Sequence, residues 1–168
     1  MAKKLILKFI PDPILRQKAA AVGAALLGSS ELQTLVLDME KTMNDSNGIG
    51  LAAPQVGRSL RLAVIKTQDG ILPLVNPKIL SRSLAKEIME EGCLSIPGVY
   101  GLVKRSKSIK VSAADASGKR KKFSAKGMMA RVIQHEIDHL NGVLFIDKAK
   151  TITEGREILK DLESKKPS

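Results

Sequence analysis

The chain has 168 residues, with 28 Lys and Arg against 17 Asp and Glu and a formal charge of +11. An apolar content of 43% is enough for a core and excludes wholesale disorder, and a single cysteine, Cys93, excludes an internal disulfide framework. No apolar run approaches the roughly 18–20 residues of a membrane span. The stretch from Leu5 to Ile10 is broken by Lys8 and stopped by Pro11, short of the about 7–15 residues of a secretory h-region. The expectation is a soluble protein of a reducing, cytoplasmic compartment.

With no Trp, one Tyr and three Phe, the core must be aliphatic. Pro11-Asp12-Pro13 predicts a short helix, with Asp12 as N-cap and Pro13 at the first helical position. A longer helix is expected from Glu31 to Asn44. Its residues Leu32, Leu35, Val36, Met39 and Met43 fall on one stripe, and Ser30 with Gln33 reads as a capping box. Gly48, Gly50, Pro54 and Gly57 then interrupt regular structure. Residues 60–67 alternate as a strand, and 71–80 supply another after the Asp69-Gly70 turn. Around Cys93, Gly92 and Pro97-Gly98 suggest a shaped segment rather than an ordinary strand. Residues 107–114 and 119–125 read as a hairpin about Asp115-Ala116-Ser117-Gly118. From Gly127 the apolar period becomes helical through Val132, Ile133, Ile137 and Leu140, with Gly142 as the stop. A last polar helix is expected from a Thr153 cap to Ser164. Strands and helices do not alternate as βαβ units, so the predicted class is α+β with mostly antiparallel sheets. The whole chain, 1–168, reads as one catalytic domain with a helical tail over 151–168.

The only two histidines, His135 and His139, stand four apart on the predicted helix and so share a face. Glu136 between them completes His-Glu-x-x-His, the arrangement in which two imidazoles hold a metal and the glutamate acts as base on water that the metal polarises. A catalytic site of this kind needs a third protein ligand and one open position. Glu154 or Glu157 would serve a metallopeptidase. Cys93 is the competing candidate. A basic RNA-binding module with a vestigial site is a third reading.

Three motifs, Gly48-Ile49-Gly50-Leu51-Ala52-Ala53-Pro54-Gln55, Glu91-Gly92-Cys93-Leu94-Ser95 and Gln134-His135-Glu136-Ile137-Asp138-His139, make the chain resemble the peptide deformylases in order and spacing. The likeness extends from about Leu5 to Asp147. It implies an α+β fold around a central metal-binding helix, and a metallohydrolase that removes the formyl group from N-terminal formylmethionine of nascent polypeptides, releasing formate. It also implies that Cys93, His135 and His139 hold one divalent ion, Fe(II) natively, with zinc, nickel or cobalt able to occupy the site. Glu136 would move the proton, and Gln55, by its side chain, with Leu94, by its backbone N–H, would stabilise the oxyanion. Gly50 would pair with the substrate backbone. By proximity to the motifs, Ile49, Ile88 and Val132 are expected to line the pocket for the methionine side chain. Arg131, one turn before His135 on the same helix face, reads either as lining the pocket rim or contacting peptide carbonyls, or as a solvated surface Arg.

Between Lys104 and Arg131 lie ten basic residues and one acidic, Asp115. Gly118-Lys119-Arg120-Lys121-Lys122 sets four cations at a predicted turn, which reads either as a solvated strand edge or as a nucleic-acid-facing patch offering a weak ribosome contact. In the C-terminal helix Arg156, Lys160, Lys165 and Lys166 are offset by Glu154, Glu157, Asp161 and Glu163, leaving little net charge.

Overall fold

The structure, a computed structural model, describes residues 1–165; Lys166 of the expected basic set lies outside them. The N-terminal segment runs extended over the first helix, α1 (Ser30–Asp45), because two buried polar side chains of that helix capture its amides. Asp38 Oδ1 accepts from Lys3 N at 2.7 Å, and Thr42 Oγ1 accepts from Leu5 N at 2.8 Å. Further on, Lys8 N donates to the carbonyl of Gln55 and Ile10 N to that of Ser95. Asp12 caps a short 3₁₀ turn over Pro13–Arg16, as its sequence predicts. On α1 the apolar stripe is buried as expected, with Leu35 only half so. The cap falls one residue earlier than the capping box suggests: Ser29 Oγ accepts from Leu32 N at 3.2 Å, while Gln33 donates to the Gly28 carbonyl.

Among the described residues, eight strands follow in two antiparallel sheets. β1 (Gly50–Ala52), β2 (Leu62–Thr67), β3 (Gly70–Arg82), β6 (Ser108–Ala114) and β7 (Arg120–Lys126) make one sheet in the order β1-β2-β3-β6-β7. β4 (Lys86–Cys93), β5 (Ile96–Ser106) and β8 (Ala149–Glu154) make the other. The β4–β5 hairpin corrects the reading of 92–98 as something other than strand: β4 runs to Cys93 and β5 starts at Ile96, with a register shift at Gly92/Cys93 that carries the irregularity. The C-terminal helix is also corrected. Thr153 lies in β8, and α4 (Arg156–Ser164) begins after Gly155, whose φ of 76° turns the chain out of the strand.

Helix α2 (Gly127–Leu140) is buried on nearly every side from Ala130 onward, because it packs between the sheets. Ile133, Ile137 and Val132 meet Ile65, Ile109, Val111 and Ala113 of the larger sheet. On that sheet's opposite face, Leu62, Val64, Val75 and Ala114 join the α1 stripe. A four-residue helix, α3 (Phe145–Lys148), returns the chain to β8, with Phe145 buried beside Ile96, Val99 and Val103. Among the described residues no helix is long and apolar enough to cross a membrane.

Within β3, Asn76 takes φ 51°, where a short amide side chain is tolerated, and a register shift separates Val75 from Lys78. Its Oδ1 accepts from Val22 N at 2.8 Å and its Nδ2 donates to Val22 O at 2.9 Å, clasping the loop before α1. Asn76→Ala forfeits both bonds and the left-handed preference, so it should lower stability by about 1–3 kcal/mol, read as a reduced midpoint in urea unfolding.

Candidate metal centre

Three donor atoms from two elements converge beneath a cavity. β4 delivers Cys93 at its last residue, and α2 delivers His135 and His139 one turn apart. Cys93 Sγ lies 3.2 Å from His139 Nε2, which lies 3.2 Å from His135 Nε2, and the three donors all fall within 4.8 Å of one another. Ligands on a tetrahedral ion at about 2.0–2.3 Å stand roughly 3.3–3.6 Å apart, so this set fits one small divalent cation with a fourth position open toward the cavity. A thiolate with two imidazoles suits several such ions.

The second layer explains why the ring nitrogens point inward. Glu91, two residues before Cys93, bonds His135 Nδ1 through Oε2 at 3.0 Å, which leaves Nε2 as the outward-facing donor. The same carboxylate accepts a bidentate pair from Arg105, at 3.0 and 2.9 Å, and a bond from Arg131 Nη1 at 2.7 Å. Arg105 also binds Asp138, which Lys148 holds from the other side at 2.7 Å. Burial works against ionising Glu91, yet the hydrogen bonds from His135 and Arg105 hold its carboxyl well below the ordinary carboxylate range. Burial likewise opposes a charged His135, but its bonds to Cys93 and Glu91 push the imidazole up to about 10. The negative surroundings that favour a proton on that ring favour a divalent cation beside it.

Glu136 faces the cavity from the turn between the two histidines. It is 3% exposed, its Oε2 has no hydrogen-bond partner, and burial pushes its carboxyl up to about 7. Gly50 makes the space for it: a Cβ there would come 2.4 Å from Glu136 Oε1 and 2.8 Å from Val132 Cγ1. Gln55 sits in a 3₁₀ turn, Ala53–Val56, where Ala52 N donates to Oε1 at 2.8 Å. That bond fixes the amide so that Nε2 is directed at Cys93 Sγ, 3.4 Å, and Ser95 Oγ, 3.2 Å. Gln55 is therefore buried and aimed at the donor cluster, not solvated. Leu94 occupies the turn from β4 to β5 on the cavity wall.

The cavity measures about 430 Å³ and is lined by Ile49 and Val132, as expected, together with Gly50 and with Met128 and Tyr100, which the sequence did not single out as walls. One expectation fails. Ile88 is exposed on β4 and is not among the lining residues, because burial on this strand resumes only toward Glu91. Arg131 lines the cavity, but its guanidinium is committed to Glu91 and to the carbonyls of Val103 and Glu87, leaving it 4% exposed and no rim contact for a peptide. The carboxylates considered as a third ligand are elsewhere: Glu154 on β8 and Glu157 on α4 are both exposed, and the donor cluster contains neither. Arg105 was legible only as a charge and Glu91 only as the first residue of its motif, since nothing in their spacing signals burial.

A family model described as polypeptide deformylase matches residues 4–154. A peptide deformylase of Dictyoglomus thermophilum is 47% identical over 140 residues, covering 83% of this chain and 89% of that protein. One of Halothermothrix orenii is 45% identical over 152 residues, covering 89% and 96%. Among solved structures, the Met-Ala-Ser-bound class I type b peptide deformylase of Acinetobacter baumannii superposes with a TM-score of 0.85 at 37% identity, over 88% of this chain and 99% of that one. The actinonin complex of a Synechococcus elongatus peptide deformylase gives 0.84 at 42% identity, over 99% and 91%.

Glu91→Gln removes the charge that balances Arg105, Arg131 and the His135 ring while keeping the shape. Divalent-ion affinity should fall about 10–100-fold in chelator competition. Breaking a buried ion-pair network on one side should also cost about 3–5 kcal/mol in denaturant unfolding of the metal-loaded protein.

Proposed function

The chain belongs to the polypeptide deformylase family, and from that premise we propose how its residues divide the work of removing the formyl group from N-terminal formylmethionine of nascent polypeptides, with release of formate. The observation that carries the reading is the unpartnered Glu136 carboxylate beside the Cys93, His135 and His139 donors at the foot of one cavity. Those three residues would hold a divalent ion, Fe(II) in the cell and zinc, nickel or cobalt in its place. When bound, that ion supplies Lewis acidity toward water and the formyl oxygen.

The remaining chemistry falls to the chain. Glu136 accepts a proton from the attacking water as the water oxygen bonds to the formyl carbon, then delivers it to the departing nitrogen as the C–N bond breaks. Burial suits it to this exchange, because a carboxyl near 7 can both take and give a proton at neutral pH. Gln55 Nε2 and the Leu94 N–H donate to the oxygen on which negative charge develops. Gly50 lies on β1, an edge strand whose outer side is open to an added peptide strand. Ile49 and Val132, joined by Met128 and Tyr100, offer apolar walls to the methionine side chain. Arg131 acts indirectly, by holding Glu91. The working compartment is the cytoplasm, where nascent chains arise, and a weak ribosome contact falls to the basic surface.

Nickel-loaded protein should release formate from formyl-Met-Ala-Ser; nickel avoids the loss by oxidation in air to which thiolate-bound Fe(II) would be exposed. Glu136→Gln should lower kcat about 10²–10⁴-fold with metal content unchanged. Gln55→Ala should lower it about 10²–10³-fold. Fully metallated parent that releases no formate would sink the reading.

A further inference from the structure

The larger sheet has one face only half covered. The apolar cluster built on α1 stops on that face at Val75 and Ala114, while Ile109, Val111 and Ala113 point to the opposite face and α2. Side chains alternate along a strand, so the even-numbered positions of β6 and β7 share the face that α1 leaves open. The register then sets Lys78 opposite Ser112 and Ser112 opposite Lys122, with Ser81, Lys110 and Ser124 in the next row. Arg120, opposite Ala114, and Lys126, opposite Ser108, complete the face.

All five cations are exposed, and none of β3, β6 and β7 contains an Asp or Glu. None of the five joins an ion pair among the described residues, whereas Lys121, on the other side of β7, is paired with Asp115 at 3.2 Å. With strands about 4.8 Å apart, Lys78 and Lys122 stand roughly 10 Å from each other in one row, and Lys110 lies in the next row on the strand between them. That separation is slightly beyond the Debye length of about 8 Å at physiological salt, so the cations tolerate one another and stay free to meet an external polyanion. Protection of a sheet edge accounts for charge on β7. It does not account for Lys78 and Lys110, on strands bonded at both sides, where the intervening serines suffice to keep the face wet.

We infer that this face docks on the phosphate backbone of ribosomal RNA. The inference rests on the reading above, since ribosomal RNA is the polyanion present wherever nascent chains emerge. With no aromatic side chain among the five cations and four serines, recognition is of backbone charge and not of bases. None of the five cations lines the cavity, so docking leaves it open to substrate.

The test is co-sedimentation of metal-loaded protein with vacant ribosomes at rising KCl, from about 50 to 200 mM. The variant Lys78→Thr/Lys110→Thr/Lys122→Thr should lower the slope of log affinity against log salt by about 2–3, at about 0.7–0.9 per phosphate contact. Its kcat/KM on formyl-Met-Ala-Ser should stay parental, and the charge-keeping Lys→Arg triple should bind as the parent does. A parental slope in the threonine variant overturns the inference. So does loss of binding on neutralising Arg156 and Lys160 of α4 with the sheet face intact. Sedimentation needs no turnover, so an inactive parent that still binds through these lysines defeats the catalytic reading and not this one.

Discussion

The carboxylate of Glu91 is the joint on which the site is built. Its two oxygens accept four hydrogen bonds: two from Arg105 on β5, one from Arg131 and one from His135, both on α2. A carboxylate has about four lone-pair sites, so it is saturated. Through it, the smaller sheet and the central helix are held in a single relative placement, and Cys93, two residues along β4, comes to the histidines in register. Apolar contacts between a helix and a sheet are non-directional and would permit small slides. A fork of guanidinium on carboxylate would not. Burying these ions costs several kcal/mol each in desolvation, and an apolar cluster of equal volume would be no less stable. What the network supplies is position, which a three-donor metal site needs to within a few tenths of an ångström.

The legible parts of the sequence were those whose signal is local. An i, i+4 histidine pair must share a helix face whatever surrounds it, and the Asp115–Gly118 turn declares its hairpin by chemistry within a few residues. The β4–β5 hairpin had no such signal. β4 places charged Glu91 where alternation would ask for an apolar residue, and β5 is punctuated by Pro97, Gly98 and Gly101. At Gly101 the reason is tertiary: a Cβ would come 3.0 Å from both Ala149 Cβ and Thr151 O of β8. The glycine that reads as a break permits strands to approach. β8 was lost to the same cause, since most of its residues are exposed and its partner is supplied only by the fold.

The pocket walls divide along the same line. Ile49 and Val132 adjoin the motifs and lie where nearness in sequence suggests, whereas Ile88 shares a strand with Glu91 but faces solvent. Met128 and Tyr100 enter from a helix start and a strand that no short motif marks. Arg131 shows the limit from the other side. Helical spacing put it on the face of His135, and only the burial of Glu91 decides that its charge turns inward rather than toward a ligand.

In the proposed mechanism, Gly50 would couple substrate placement to proton transfer more tightly than either motif implies alone. Its strand, three residues long, exposes the free edge to which a peptide can pair, and its missing side chain is the room that Glu136 occupies. A peptide paired at this edge runs alongside the unpartnered carboxylate. On that proposal, binding and chemistry would be set by one backbone segment, which must itself be fixed. The fixing comes partly from the first ten residues, where Lys8 bonds the carbonyl of Gln55 and Ile10 that of Ser95. These contacts tie Gln55 and the β4–β5 turn to a segment that α1 holds through Asp38 and Thr42. A helix with no residue in the cavity thereby steadies the groups that face it.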